Sequence, residues 1–164
     1  GIVPEERKAE GLMLQQNMIF NMTVPALRKY KNRFGRLTPA KEAEVTRKYI
    51  ETFHIRPGSP HTITNFMSGG NQQKVVLSKW IAADCKILLV DEPTRGVDVG
   101  AKEEIYEILN QLIENGLSIL MVSSELPELL GTCDRIMVMN EGRQTGLFDI
   151  DECSEETLMT FATN

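Results

Sequence analysis

After Lys86 the chain alternates short apolar runs with one long amphipathic stretch. Ile87 to Val90 is such a run, and Leu117 to Val122 and Ile136 to Met139 are two more. Each has the length of a buried strand. Between the first two, Gly100 to Asn115 carries Ile105, Ile108, Leu109, Leu112 and Ile113 on one helical stripe, and Gly116 closes it. Strand, helix and strand form a βαβ unit whose strands are predicted to be parallel and covered on both faces. Asn140-Glu141-Gly142-Arg143 reads as a hairpin turn with Gln144 to Phe148 returning, and a last short helix is predicted over Ser154 to Ala162.

Upstream, from Gly11 to Asp84, the period is helical. Thr38 is predicted to cap a helix with Pro39 at its first position, where a missing N–H does no harm. Val45, Tyr49, Ile50 and Phe53 then share a face. Arg56 to Pro60 holds two prolines and a glycine and marks a turn. A second helix is predicted over Asn71 to Ala83, with Val76, Trp80 and Ala83 on one side. Met13, Met18 and Met22 read as core filler, with an adaptable binding surface as the alternative. No Gly/Ser linker or repeat separates the two regions. Gly1-Ile2-Val3-Pro4 reads as the end of a buried strand, so the expectation is a chain cut from a longer one.

Composition narrows the function classes. The 164 residues fit one domain. Hydrophobic residues at 41% and charged residues at 25% are ordinary for a globular chain and exclude wholesale disorder. A net charge of -5 argues against a nucleic-acid partner, which asks for a basic face. Cys85, Cys133 and Cys153 are an odd count without metal-type spacing and read as free thiols in a reducing compartment. His54 and His61 read as surface residues. There is no apolar run of bilayer length and no basic-then-apolar leader, so any membrane connection must come through a partner chain.

Two patterns carry chemistry. Ile87-Leu88-Leu89-Val90-Asp91-Glu92-Pro93 is an apolar strand ending in two acids, and parallel sheets bind ligands beyond their strands' carboxyl ends. Asp91 there can hold Mg²⁺ through water, and Glu92 can orient a water for attack on phosphorus. An ordinary strand-to-loop junction is the alternative. Ser68-Gly69-Gly70-Asn71-Gln72-Gln73-Lys74 opens the second predicted helix. Free N–H groups at a helix start attract phosphate, and two glycines let an anion reach the backbone. A plain capped turn is the alternative here.

Together these stretches carry a resemblance. Met67 to Gln73 resembles the signature loop of ABC ATPases, Asp91 and Glu92 resemble the family's strand-end acids (its Walker B), and Thr94-Arg95-Gly96-Val97-Asp98 resembles its D-loop. With Ser-Ser-Glu-Leu-Pro-Glu-Leu at 123 to 129, the wording is similar to the ATPase subunits of ribose, galactose and xylose importers. In that subfamily two ATPase domains lie in tandem, and this chain resembles the second. Similarity runs from Val3 to about Phe148 and is densest over Met67 to Met139.

The resemblance implies an α/β fold of the P-loop NTPase type, a parallel sheet core with a helical subdomain, truncated before the P-loop. It implies the end of an upstream core strand with the Q-loop region at 1–10, the helical subdomain with the signature loop at 11–85, and the core with Walker B, D-loop and switch region at 86–164. It implies ATP and Mg²⁺ as cofactors, with Asp91 and Glu92 catalytic, Asp91 holding Mg²⁺ through water, and Ser68, Gly69, Gly70, Asn71, Gln72, Asp98, Ser124 and Glu5 at the nucleotide. The implied partners are a second ABC ATPase domain in a head-to-tail pair, membrane permease subunits and, indirectly, a periplasmic or extracellular sugar-binding protein, with no nucleic acid. The place is the cytoplasmic face of a bacterial membrane, held peripherally. The chain departs from the family at three points. No Gly-x-x-x-x-Gly-Lys-Ser/Thr loop is present, so the fragment alone is expected to be inactive. Ser124 stands where the switch histidine is expected, and a serine hydroxyl is shorter and carries no charge near neutrality. Glu5 stands at the Q-loop glutamine. A non-catalytic regulatory half, whose signature loop completes a partner's ATP site, is the alternative function.

Overall fold

The structure is a computed structural model that describes residues 1–163. It divides into two compact units, Gly1–Val122 and the segment from Ser123 onward. In the first, β1 (Ile2–Val3), β2 (Ile87–Asp91) and β3 (Ser118–Val122) form a parallel sheet in the order β1-β2-β3. Val3 pairs with Val90, and Val90 with Met121. Helix α4 (Val99–Glu114) makes the crossover from β2 to β3 and buries Ile105, Ile108, Leu109 and Leu112. Ile113, the fifth member of the predicted stripe, is 40% exposed.

Between β1 and β2 come a π-helical turn at Arg7–Gly11, α1 (Met18–Thr23), a kinked 3₁₀ segment at Val24–Tyr30, α2 (Pro39–Thr52), a 3₁₀ turn at Thr64–Phe66, and α3 (Gly69–Ala82). Helix α2 starts at Pro39 as expected, but the Thr38 side chain makes no capping bond; its carbonyl takes the first N–H groups instead. The buried positions of α2 are Ala43, Thr46 and Ile50, so its inward stripe is less apolar than Val45 and Tyr49 suggest. Met18 and Met22 are fully buried, whereas Met13 is 53% exposed.

Helix α3 overturns the one-sided pattern predicted for it. Every residue from Gln72 to Ser78 is buried, because α1 packs on one side and α4 and β1 on others. The polar members are accommodated by bonds: Lys74 Nζ donates to Phe53 O at 2.9 Å, and Ser78 Oγ to Lys74 O at 2.7 Å. Lys29 Nζ donates to Ala82 O at 2.8 Å, satisfying a terminal carbonyl at the helix end. Trp80 Nε1 donates to Ile2 O at 2.5 Å, pinning β1 to α3. One core holds Met22, Phe53, Val76, Leu88, Val90 and Ile105, so helical segments and sheet share it.

The expectation of a sheet covered on both faces is not met among the described residues. Leu88 and Val90 are buried, but Ile87, Leu89, Leu120 and Val122 on the opposite face are 40–59% exposed. The one helix that follows β2 covers a single side.

In the second unit α5 (Leu126–Thr132) leads into an antiparallel pair, β4 (Arg135–Asn140) and β5 (Arg143–Asp149), then α6 (Glu155–Thr163). Glu141 and Gly142 both have positive φ, 47° and 77°, as a two-residue primed hairpin turn requires. Ile136, Val138 and Leu158 form its core, and Phe148 meets Phe161 edge-on at 5.0 Å.

Candidate functional site

Two strand ends and one helix start build the site. Parallel β1 and β2 direct their following loops to the same end of the sheet, where ligands of such sheets bind. The start of α3 reaches that end too. A Cβ placed on Gly69 would lie 2.8 Å from Gly96 O, and one on Gly70 would lie 2.5 Å from Ala101 Cβ and 3.5 Å from Val97 Cγ1. The predicted signature turn and the segment 96–101 are therefore in direct contact, and neither glycine tolerates a side chain in place.

Ser68 is the N-cap of α3, its Oγ accepting from Asn71 N at 3.5 Å and more closely from Asn71 Nδ2 at 2.9 Å. The amides of Gly69 and Gly70 come before the first intrahelical bond, that of Gln72 N to Ser68 O. They belong to the first turn of a helix of fourteen residues, at its positive end, where N–H groups have no intrahelical acceptor; Gly70 is itself buried. Asn71 Oδ1 accepts Arg56 N at 2.6 Å. Gln72 is 2% exposed and its Nε2 donates inward to Thr64 O at 3.0 Å, so both side chains brace the turn from behind.

Asp91 ends β2, and Glu92 follows with φ 46°, a left-handed conformation that a non-glycine residue adopts at some cost. Glu92 N donates to Val122 O at 2.9 Å, which fixes the turn after the strand. Asp98 caps α4, its Oδ1 accepting Ala101 N at 3.0 Å. Glu5, after β1, is ion-paired with Arg95, after β2. Ser124 is exposed and belongs to the second unit, where its neighbour Ser123 donates to the buried Glu128 carboxylate. Among the described residues no three acidic, thiol or imidazole groups converge as a metal cage. A magnesium ion bound with ATP needs none, since it takes one or two carboxylates, phosphate oxygens and water. Asp91 and Glu92 fit that donor set.

Two residues stand out that pattern reading leaves unassigned. Arg7, 9% exposed, donates from Nη1 to Arg95 O at 2.6 Å and from Nη2 to Gly96 O at 3.0 Å. Burial lowers its pKa from the ordinary guanidinium value, and the charge of Glu6 acts in the opposite sense. Lys74, 3% exposed, pairs with Glu104 of α4 at 2.7 Å. Each is one charge within a polar run, and neither apolar period nor motif spacing signals that it folds inward.

Comparison with known proteins gives the same picture. The family described as ABC transporter matches residues 2–95. Ribose import ATP-binding protein RbsA of Bacillus subtilis (strain 168) is 48% identical over 163 residues, covering 99% of this chain and 33% of that protein. The protein of that name from Clostridium perfringens (strain 13 / Type A) is 48% identical over 158 residues, covering 96% of this chain and 32% of its own length. The chain thus spans about a third of these curated relatives. Among solved structures, the dimeric post-hydrolysis state of an ATP-binding cassette bound to ADP and Pi superposes with a TM-score of 0.75 at 21% identity, covering 92% of this chain and 62% of that one. The fold is thereby that of the P-loop NTPase-like α/β cassettes.

Proposed function

Because this chain belongs to the ABC transporter family, whose profile matches residues 2–95, we propose that it supplies the signature-bearing and acid-bearing part of an ATPase that drives monosaccharide import. The observation that carries this is the helix start at Gly69 and Gly70, whose first-turn amides have no intrahelical acceptor, packed against the loop from Gly96 to Ala101. Anions are drawn to such a helix start. The amides and the Ser68 hydroxyl, oriented by Asn71 and backed by Gln72, bind the γ-phosphate of an ATP held by a second ATPase domain in a head-to-tail pair.

Asp91 and Glu92 face the nucleotide of this chain's own domain. Asp91 would hold Mg²⁺ through water, and Glu92 would take the proton from a water that attacks the γ-phosphorus as the bond to the β–γ bridging oxygen breaks and ADP leaves. The metal supplies charge neutralisation at the β- and γ-phosphates. Asp98 lies on the loop against the signature turn, Glu5 senses the nucleotide from the β1 loop, and Ser124 stands at the switch position with a neutral hydroxyl. The segments are 1–10 for strand and Q-loop, 11–85 for the helical subdomain that docks on the permease, and 86–164 for the core. Among the described residues no helix is long and apolar enough to cross a membrane, which agrees with peripheral attachment through permease subunits at the cytoplasmic face of a bacterial membrane. The sugar comes from an external binding protein, and nucleic acid has no part.

The test uses the full-length protein in its assembled transporter. Gly69→Asp puts a carboxylate where the phosphates bind, and loss of both ATPase and sugar uptake is expected. Retention of both sinks the reading.

A further inference from the structure

Arg7 draws three segments to one point. Its guanidinium donates to two consecutive carbonyls, Arg95 O and Gly96 O, and its Nη2 would lie 2.6 Å from a Cβ on Gly69. Because the acceptors are backbone, the clasp fixes the path of the loop itself. Gly96, with φ 65°, gives that path a conformation other residues rarely adopt. A second tie runs the opposite way, from the Arg95 side chain to Glu5. The loops after β1 and β2 are thus laced twice.

The electrostatics give the clasp a purpose. The start of α3 is an electropositive end whose first-turn amides have no intrahelical acceptor, and a second cation beside it is unfavourable unless its charge is offset. Here the Arg7 guanidinium lies directly beside Gly69, and the carbonyls of Arg95 and Gly96 that it donates to offset its charge. Gly96 O lies so near Gly69 that a Cβ there would be only 2.8 Å away. Released from Arg7, that carbonyl would compete with a phosphate for the same amides.

Resting on the ATPase reading above, we infer that Arg7 is a positioning residue. It engages the Gly96 carbonyl and keeps the loop leading to Asp98 at one spacing from Gly69 and Gly70. It touches neither nucleotide nor reacting atoms, so its loss should act on kcat rather than on KM for ATP.

The experiment measures ATPase kinetics of the full-length transporter carrying Arg7→Ala, Arg7→Lys and, alongside, Gly69→Asp. In Arg7→Ala, kcat is expected to fall about tenfold or more with KM changed less than about twofold. Arg7→Lys, which keeps one cation in the same place, recovers part of the loss. The Nε of Arg7 has no acceptor, so Lys gives up no bond there and should unfold near the wild-type temperature. Hydrogen exchange over residues 92–99 should quicken in both variants ahead of exchange in α3 and α4. Full kcat in Arg7→Ala beside an inactive Gly69→Asp overturns the role of Arg7 alone. So does a loss that Lys does not rescue and that comes with uniformly faster exchange, the mark of a general structural defect. An active Gly69→Asp overturns the ATPase reading itself.

Discussion

Lys74 of α3 and Glu104 of α4 form an ion pair at 2.7 Å in which the lysine is 3% exposed and the carboxylate 57%. The pair is lopsided: the ammonium has left water almost wholly, and the carboxylate has not. The same Nζ donates to Phe53 O, so one buried charge ties the end of α2, the middle of α3 and the start of α4. Removing Glu104 therefore strands a buried cation, whereas removing Lys74 leaves a carboxylate that water can solvate. Glu104→Gln is expected to cost about 1–2 kcal/mol after allowance for its exposure. Lys74→Met, with a similar apolar stem, should cost no more than that. Chemical denaturation of both variants and of the double variant measures the pair, and a neutral Glu104→Gln contradicts the prediction.

Gly70 and Ala101 set the closest approach of α3 and α4. A Cβ on Gly70 would sit 2.5 Å from that of Ala101, so Gly70→Ala overpacks the crossing and should destabilise by about 1–3 kcal/mol. Ala101→Gly in the same chain removes the collision and should restore part of it. Unfolding midpoints of the single and double variants decide the matter; additive losses would show that the two positions do not meet.

Asp84 provides a pH signature. Its hydrogen bond with Lys29, at 2.5 Å, holds its carboxyl below the ordinary aspartate value, against the opposing effect of desolvation and with lesser help from the charges of Lys29 and Lys86. A depressed folded pKa contributes stability above the unfolded value of about 3.9, and that contribution disappears as pH falls through the folded value. The stability gap between wild type and Asp84→Asn should be constant near neutrality and close below about pH 4. The pair is largely exposed, so added salt should shrink the gap as well. A gap that persists into strong acid would assign it to something other than this charge.

Glu92→Gln in the full-length protein keeps the shape of the strand-end turn and removes the proposed base. It is expected to lower kcat about a hundredfold or more while ATP still binds. An unchanged rate would mean that hydrolysis runs only on the partner domain.

Much of this was legible in the chain, for identifiable reasons. The strand at Ile87–Val90, helix α4 and the hairpin at Glu141-Gly142 announce themselves through period and turn chemistry, and all three are in the structure. Helix α3 is present, but its burial all round was hidden, because Gln72, Gln73, Lys74 and Ser78 are polar and the sequence shows only Val76, Trp80 and Ala83 as an apolar side. Gln72 and Lys74 bond to the Thr64 and Phe53 carbonyls and to Glu104, partners set by tertiary folding, while Ser78 bonds back to the Lys74 carbonyl of its own helix. Thr38 looked like a side-chain cap and is one by backbone only. At the site, glycines and acids were legible from spacing. Arg7 was not, because its acceptors are main-chain carbonyls 88 and 89 positions away, which no side-chain pattern records.

The enclosure of α3 makes the helix an axle rather than a surface strip. Its bearings are Phe53, Thr64, Gly11 and Ile2, whose carbonyls receive Lys74, Gln72, Lys79 and Trp80 along its length. The four grips fall between Gln72 and Trp80, so the shaft has a fixed heading and the turn from Ser68 to Asn71 projects just ahead of the first of them.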